Sequence, residues 1–358
     1  MWTFRRCLGV CVLFLATSLL LATVAPAAQV MQGQGVIKVM TYNVNEGTDF
    51  VEVLGAQTVP DFLAAVQITL DSVKASNPPL RMQAVARQIA ETQPDLVGLQ
   101  EVTTYRVGPG PNPAPVLFDM LQELLGALEA HGQHYVVAIV VPEFDFQAPL
   151  PDLTTFVRAS GSNVILARSG EDRVQLSNIQ SAHYLNLLTF PTQLGPLTLP
   201  RGWGSVDVTF HGRSVRFIVT HLENFVPQFP PTLLVQEAQA AELIAGPANT
   251  TMPVVIAGDF NANADNPNDP TFATYQEMIG NSFGDAWAAT HPDNPGFTWD
   301  LNNTATSPLN QRIDFIFFRD GVQALNSRLA GARIQDRIDG LWPSDHAGVR
   351  ATLLVGLD

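Results

Sequence analysis

The sequence predicts a single α/β domain built on mixed β-sheets. Three observations carry that expectation. Short apolar runs alternate with stretches of helical apolar spacing, a hairpin pattern sits near the middle of the chain, and several strand-like runs end abruptly in Asn, Asp, Glu or His. Alternating strands and helices ask for parallel pairing, whereas hairpins ask for antiparallel pairing, so the sheets must contain both. The chain has 358 residues, 46% hydrophobic and 15% charged, which supplies a packed core and excludes wholesale disorder. No repeat, low-complexity tract or interdomain linker interrupts residues 36–358, which read as one domain.

Taken in order, Val36 to Val44 is β-rich and forms the first strand. Pro60 to Ala75 and Leu80 to Thr92 have helical spacing and are separated by the break Asn77-Pro78-Pro79. Asp95 to Gln100 is a short apolar run suited to a buried strand, Val116 to Ala130 is helical, and Tyr135 to Val141 is a strand. Glu143 to Asp152, with its prolines and aromatics, is expected as a surface loop, in which Phe144 and Phe146 either form an exposed apolar patch or pin the loop to the core. Asn163 to Ala167 is a strand. Trp203 to Phe210 and Ser214 to Thr220 alternate around His211-Gly212-Arg213 as a hairpin. Leu233 to Ala245 is a helix, and Pro253 to Ala257, Ile313 to Phe318 and Ala347 to Val355 are the remaining strands.

The first 27 residues read as an export signal: Arg5-Arg6, an uncharged apolar run from Cys7 to Val24, then Ala25-Pro26-Ala27 as a small-residue cleavage site. An uncleaved anchor is the competing reading, since about 18 apolar residues just span a bilayer. Residues 28–35 form a polar leader. A secreted or periplasmic location is expected. Both cysteines, Cys7 and Cys11, fall inside the signal, so the processed chain has no disulfide framework and no thiolate metal site. Removing residues 1–27 takes away two arginines and no acid, moving the net charge from −14 to −16. That balance disfavours tight binding to a polyanion, because backbone affinity comes mainly from Lys and Arg.

The polar residues at strand ends are Asn43, Glu101, His221, Asp259 with Asn261, Asp314, and Asp345-His346. Polar groups inside buried strands need partners, but at strand ends they can converge on one sheet edge. Carboxylates with Asn amides make a hard, oxygen-rich set suited to Mg²⁺ or Mn²⁺ rather than zinc. His346 can act as a general base if Asp314 fixes its tautomer. With no thiol and no serine in a nucleophile elbow, activated water is the natural nucleophile and a phosphoryl group the natural target.

Tyr42-Asn43, Leu99-Gln100-Glu101-Val102, Thr220-His221-Leu222, Gly258-Asp259-Phe260-Asn261, Arg312-Ile313-Asp314-Phe315-Ile316 and Ser344-Asp345-His346 follow one another in this order. Together they resemble the endonuclease/exonuclease/phosphatase superfamily, which includes deoxyribonuclease-I-like nucleases, apurinic-site endonucleases, bacterial sphingomyelinases and inositol-phosphate phosphatases. Single blocks are weak signals, but six in order are specific. The resemblance implies a four-layer α/β sandwich, two mixed β-sheets packed face to face and flanked by helices. It implies metal binding chiefly by Glu101, with Asn43 close by and Asp345 helping to position the metal or His346. It implies that His221 and Asn261 hold phosphoryl oxygens, that Asp259 sits near the attacking water or leaving oxygen, and that Asp314 orients the base His346.

Asn45 stands where apurinic-site endonucleases tend to carry an acid, Pro343 where sphingomyelinases often have His, and Pro60 to Asn77 resembles an insertion, so the branch stays open. Trp299 walls the substrate pocket or serves the core. Asp259 and Asn261 alone can be an Asx-turn, and Glu101 a helix cap. The expected partner is a phosphoester. Nucleic acid is not favoured, a lipid or membrane-surface substrate is open, and a monomer is expected. The rivals are a secreted deoxyribonuclease-like endonuclease and a silent binding module on the same fold. The second is disfavoured by the presence of Glu101, Asp314 and His346 together.

Overall fold

Along β1 (Val36–Asn43), Ile37 and Val39 join one apolar cluster while Met40 and Tyr42 join another. That alternation, repeated strand by strand, sets the architecture of the computed structural model, which describes residues 35–170, 174–192, 195–301 and 309–356. The expected signal, residues 1–27, and residues 28–34 of the leader lie outside the described residues.

One sheet contains β1, β2 (Leu96–Pro109), β3 (Val116–Asp119), β4 (Tyr135–Pro149), β5 (Thr155–Arg168), β14 (Val322–Ala330) and β15 (Gly348–Val355). Its order is β14-β15-β1-β2-β5-β4, with β3 paired to β2. The other contains β6 (Gln175–His183), β9 (Gly202–Phe210), β10 (Arg213–His221), β11 (Val254–Asp259), β12 (Gly284–Asp285) and β13 (Asp314–Arg319), in the order β12-β13-β11-β10-β9-β6. β7 (Leu188–Thr192) and β8 (Gly195–Leu199) form a separate hairpin. Both large sheets are mixed: β1 runs parallel to β2 and β10 parallel to β11, while the other pairs are antiparallel.

The helices are α1 (Val51–Gly55), α2 (Val59–Ser76), α3 (Pro78–Thr92), α4 (Met120–Ala130), α5 (Pro231–Ala245), α6 (Phe272–Gly280) and α7 (Ala286–Thr290). Between the sheets lie Ile37, Val39, Val219, Val255, Ala257 and Ile316. On the outer face of the first sheet, Tyr42, Val97 and Leu99 pack against Met82 and Ile89 of α3 and Leu124 of α4. On the outer face of the second, Ile218, Ile256 and Phe317 pack against Leu243 of α5 and Met278 of α6. The result is the four-layer α/β sandwich, two mixed sheets face to face with helices outside.

The expected break at Asn77-Pro78-Pro79 is a single left-handed residue. Asn77, at φ 50°, ends α2 and its Oδ1 accepts from Leu80 N–H to start α3. Two expectations are corrected. Val116 to Ala130 is not one helix: Val116–Asp119 pairs with β2, and Asp119 Oδ1 then accepts from Gln122 N–H at 3.1 Å to cap α4. Glu143 to Asp152 is not a loop: β4 runs through to Pro149 along the sheet edge, where proline is tolerated, and the turn begins only at Leu150. Phe144 and Phe146 alternate with exposed Asp145 and Gln147, and their rings stack at 5.3 Å.

Gly98 of β2 marks a close approach of the two sheets. A Cβ there would meet Val219 Cγ2 at 3.0 Å and Ala257 Cβ at 3.2 Å, both from the opposite sheet. Gly98→Val is expected to destabilise the protein by about 1–3 kcal/mol through overpacking, measured by denaturant unfolding. A variant as stable as the parent would show that the seam has slack.

Candidate active site

Several strands that alternate apolar residues into the seam carry a polar residue where the inward apolar row stops. On the second sheet His221, Asp259 and Asp314 are direct register partners, since His221 faces Asp259 across β10–β11 and Asp259 faces Asp314 across β11–β13. They therefore continue the inward rows that begin with Val219, Ala257 and Ile316, and form one polar row across three strands. On the first sheet Asn43 ends β1 beside Gln100 of β2. The ladder of β2 then slips between Leu99 and Val102, and Glu101 takes φ 61°. This bulge re-aims the Glu101 carboxylate into the site, a common use of such irregularities.

Asn43 joins the two sheets. Its Nδ2 donates to Glu101 Oε1 at 2.8 Å and to Asp259 Oδ2 at 3.0 Å. Its Oδ1 accepts from Asn45 N–H at 3.0 Å, and because a backbone N–H can only donate, the amide's orientation is fixed. Asn43 thus faces the carboxylates as a donor, directly beside Glu101. Glu101 Oε2 accepts from Glu46 N–H at 2.9 Å.

His346 Nδ1 lies 2.9 Å from Asp314 Oδ2, with both residues buried. Nδ1–H donates to the carboxylate, which leaves Nε2, 3.8 Å from Asp259 Oδ2, free to take a proton. Burial alone would lower the His346 pKa, but Asp314 and Asp259 outweigh it and hold the imidazole well above its ordinary range. The segment before the base is held by Ser344, whose hydroxyl donates to Asn43 carbonyl at 2.7 Å and accepts from His346 N–H at 3.1 Å. Ser344 Oγ also lies 3.2 Å from Asp345 Oδ1, the half-buried acid whose charge, after burial itself, pushes Glu101 up. Trp299 bridges His346 through its backbone and is half-buried beside the base.

Burial, then Asp314, raises Asp259 to about 7. Asn261, at φ 50°, closes an Asx-turn on Asp259 Oδ1 at 2.9 Å, and its side-chain amide lies 3.2 Å from His221 Nε2. The turn thus sets the Asn261 amide beside His221. Among the described residues, Asp259, Asp314 and His346 form a buried group with ligand atoms all within 4.8 Å of one another.

Four residues carry no signal in the sequence that marks them for the site. Arg201 Nη1 lies 2.8 Å from His221 Nδ1 and 3.0 Å from Glu143 Oε2. A guanidinium only donates, so Nδ1 is the bare nitrogen and Nε2 carries the ring proton, facing Asp259 Oδ2 at 3.5 Å. Burial and the Arg201 charge keep His221 neutral, well below its ordinary pKa. Glu143 also accepts from Asn163 at 2.5 Å, and burial raises it to about 7. Arg81, buried at the root of α3, donates to the carbonyls of Val44 and Asn45, clamping the loop that follows Asn43. Glu46 is pushed well above its usual range, first by burial and then by Glu101.

Fold and site together define an α/β sandwich with a His–Asp pair and clustered carboxylates in the seam of two mixed sheets. A sequence profile of the Endonuclease/Exonuclease/phosphatase family matches residues 40–346, and the chain belongs to that family. Members are generally metal-dependent hydrolases. The chain is similar to an endonuclease/exonuclease/phosphatase from Beutenbergia cavernae, at 21% identity and TM-score 0.59 over 90% of this chain and 72% of that one. An endonuclease/exonuclease/phosphatase from Bacteroides vulgatus matches at 17% identity and TM-score 0.55, over 90% and 99%. TDP2 of D. rerio, in complex with single-strand DNA product, matches at 19% identity and TM-score 0.51, over 89% and 98%. No curated protein sequence matches.

The raised groups set a pH prediction. Asp259 and Glu143 rise from near 4 to about 7, so the stability they contribute is full below about pH 4 and is lost as pH climbs through 7. His346, also raised, has the same sign. His221, lowered, works the other way, and its contribution is lost as pH falls below about 6.5. The metal-free protein should therefore lose Tm from pH 6.5 to 8.5, and Mg²⁺ should raise Tm more at pH 8.5 than at pH 6. A metal-free Tm that climbs steadily across this range contradicts the buried-carboxylate account.

Proposed function

We propose that the chain is an exported, metal-dependent phosphoesterase that hydrolyses a phosphodiester or phosphomonoester by in-line attack of water. The observation that carries this reading is the buried His346–Asp314 pair at 2.9 Å, opening toward Asp259. Export rests on the sequence features of residues 1–27.

The donor set fits a hard divalent cation. Glu101, Asp259 and Asp345 offer carboxylate oxygens in a thiol-free seam, and burial penalises the charge of the first two. Glu101, with Asp345 beside it, would hold Mg²⁺ or Mn²⁺, and Asn43 fixes that carboxylate through its side-chain amide. Asp259, Asp314 and His346 also meet the spacing of a metal site, but the Nδ1–H of His346 is committed to Asp314. When bound, the cation polarises the phosphoryl group and offsets negative charge.

The chain's own residues supply the rest. In its neutral form, which a bound cation would favour by offsetting the acids around it, His346 Nε2 would take the proton of the attacking water as its oxygen bonds to phosphorus and the P–O bond to the leaving group breaks. Asp314 steadies the resulting imidazolium. His221 Nε2–H and the Asn261 amide donate to phosphoryl oxygens, and Asp259 orients the water. Trp299 flanks the substrate beside the base.

His346→Ala should cost on the order of 10²–10⁴ in kcat, and Asp314→Asn less, with both variants folded. Chelation should abolish turnover, and Mg²⁺ or Mn²⁺ should restore it. Glu101→Gln should weaken metal affinity more than it lowers Tm. Wild-type turnover in either dyad variant, or undiminished activity after exhaustive chelation, overturns the mechanism.

The substrate is expected not to be long duplex DNA, since 17 basic residues spread over residues 28–358 leave no phosphate-tracking cluster. At about 0.15 M salt, near physiological ionic strength, turnover of plasmid DNA should fall below that of a choline phospholipid or a soluble phosphoester. Efficient, salt-resistant DNA cleavage with neither of the others touched would favour the nuclease rival and leave the catalytic assignments standing.

A further inference from the structure

A cavity of about 480 Å³ opens next to the site, within the roughly 300–1,000 Å³ typical of small-molecule pockets. Three separate elements wall it. α1 and α2, the stretch that resembles an insertion, contribute Val53, Phe62, Val66 and Leu70. The edge strand β4 contributes Phe144 and Phe146. The isolated β7–β8 hairpin contributes Phe190, Leu197 and Leu199.

These named walls are hydrocarbon and aromatic, and the polar lining residues, among them Asp49, Asp145, Glu223 and Asn224, are the minority. The cavity is open to solvent, and a concave, mostly apolar recess of this size beside polar groups is the usual form of a small-molecule site. Its walls favour an apolar occupant, because burying such surface is what water drives.

Two polar residues of the lining tie the cavity to the phosphoryl site. Arg201 reaches His221 Nδ1 at 2.8 Å, and the backbone N–H of Glu46 donates to Glu101 at 2.9 Å. The cavity thus ends one residue away from His221 on one side and from Glu101 on the other.

We infer that this cavity binds the hydrocarbon tail of an amphiphilic phosphoester, withdrawn as a single molecule, while its phosphoryl group lies at the His221–His346 site. This deepens the phosphoesterase reading and rests on it. The inserted helices and the hairpin are then specificity elements, which the chain adds to a catalytic seam that does not need them.

The test uses 4-nitrophenyl alkyl phosphates from methyl to hexadecyl, with Mg²⁺, each below its critical micelle concentration. Water adds at phosphorus, 4-nitrophenolate leaves, and the alkyl phosphate remains. kcat/KM should climb with chain length, by up to about fourfold per methylene buried, and level off when the cavity is full. Leu197→Asp, at the half-buried hairpin, should collapse the ratio of long-chain to methyl turnover; Val53→Asp serves if the first variant does not fold. Calorimetry of alkylphosphonates on His346→Ala gives a readout without turnover and should show the same length dependence with a negative heat-capacity change. A flat length series with good methyl turnover overturns the tail site and spares the phosphoesterase reading. Length-dependent binding with no ester turned over sinks that reading while the tail site stands. Length dependence seen only above the micelle concentration, or unmoved by both Asp variants, overturns the cavity as its seat.

Discussion

One side-chain amide nitrogen, Asn43 Nδ2, donates at once to a carboxylate from each sheet, Glu101 at 2.8 Å and Asp259 at 3.0 Å. The rest of the site depends on that bridge. Two acids in a dry seam repel each other far more strongly than in water, and both desolvation and repulsion oppose bringing them together. A neutral donor shared between them sets their separation without neutralising either, so the negative potential that would attract a divalent cation survives. The backbone around Asn43 is pinned from two directions: Arg81 holds the carbonyls of Val44 and Asn45, and Ser344 holds the carbonyl of Asn43 itself. Through Ser344 the same residue also sets the approach of His346. Metal side and base side are thus referenced to one strand end.

Much of the site was legible in the sequence, because a polar residue that closes a buried apolar run must find a partner at the sheet edge. Asn43, Glu101, His221, Asp259, Asn261, Asp314 and His346 stand at such interruptions, and folding brings all of them to one end of the sandwich. What stayed hidden depends on tertiary partners. Glu143 sits between Pro142 and Phe144 in a stretch whose prolines suggested a loop, though the half-buried and exposed residues of Phe144 to Ala148 do alternate as in a strand. Arg201 stands just outside a strand with no motif around it, and its role appears only when Glu143 and His221 lie on either side. The fold class was readable from the mixture of helical and strand periods. Strand lengths were not, since β2 and β5 run on past the apolar stretches that marked them.

The two histidines at the site are held in opposite states by their neighbours. Asp314 accepts from His346 and favours the cation, while Arg201 donates to His221 and excludes it. With similar burial, the sign of the neighbouring charge decides which ring receives a proton and which only offers a hydrogen bond. Glu143 completes the arrangement by neutralising the buried Arg201, at the cost of its own desolvation.

β15 lies between β14 and β1, so the strand that follows His346 is paired on both sides, on one of them with the first strand of the fold. Val36 pairs with Leu354, and Ser344 closes onto Asn43 across 301 residues of sequence. Contacts of such separation form late, because the loop they close carries the largest entropy loss. Without β15 in place the acids of the seam lack the imidazole of His346, so the geometry of the site is completed only where the two ends of the fold meet.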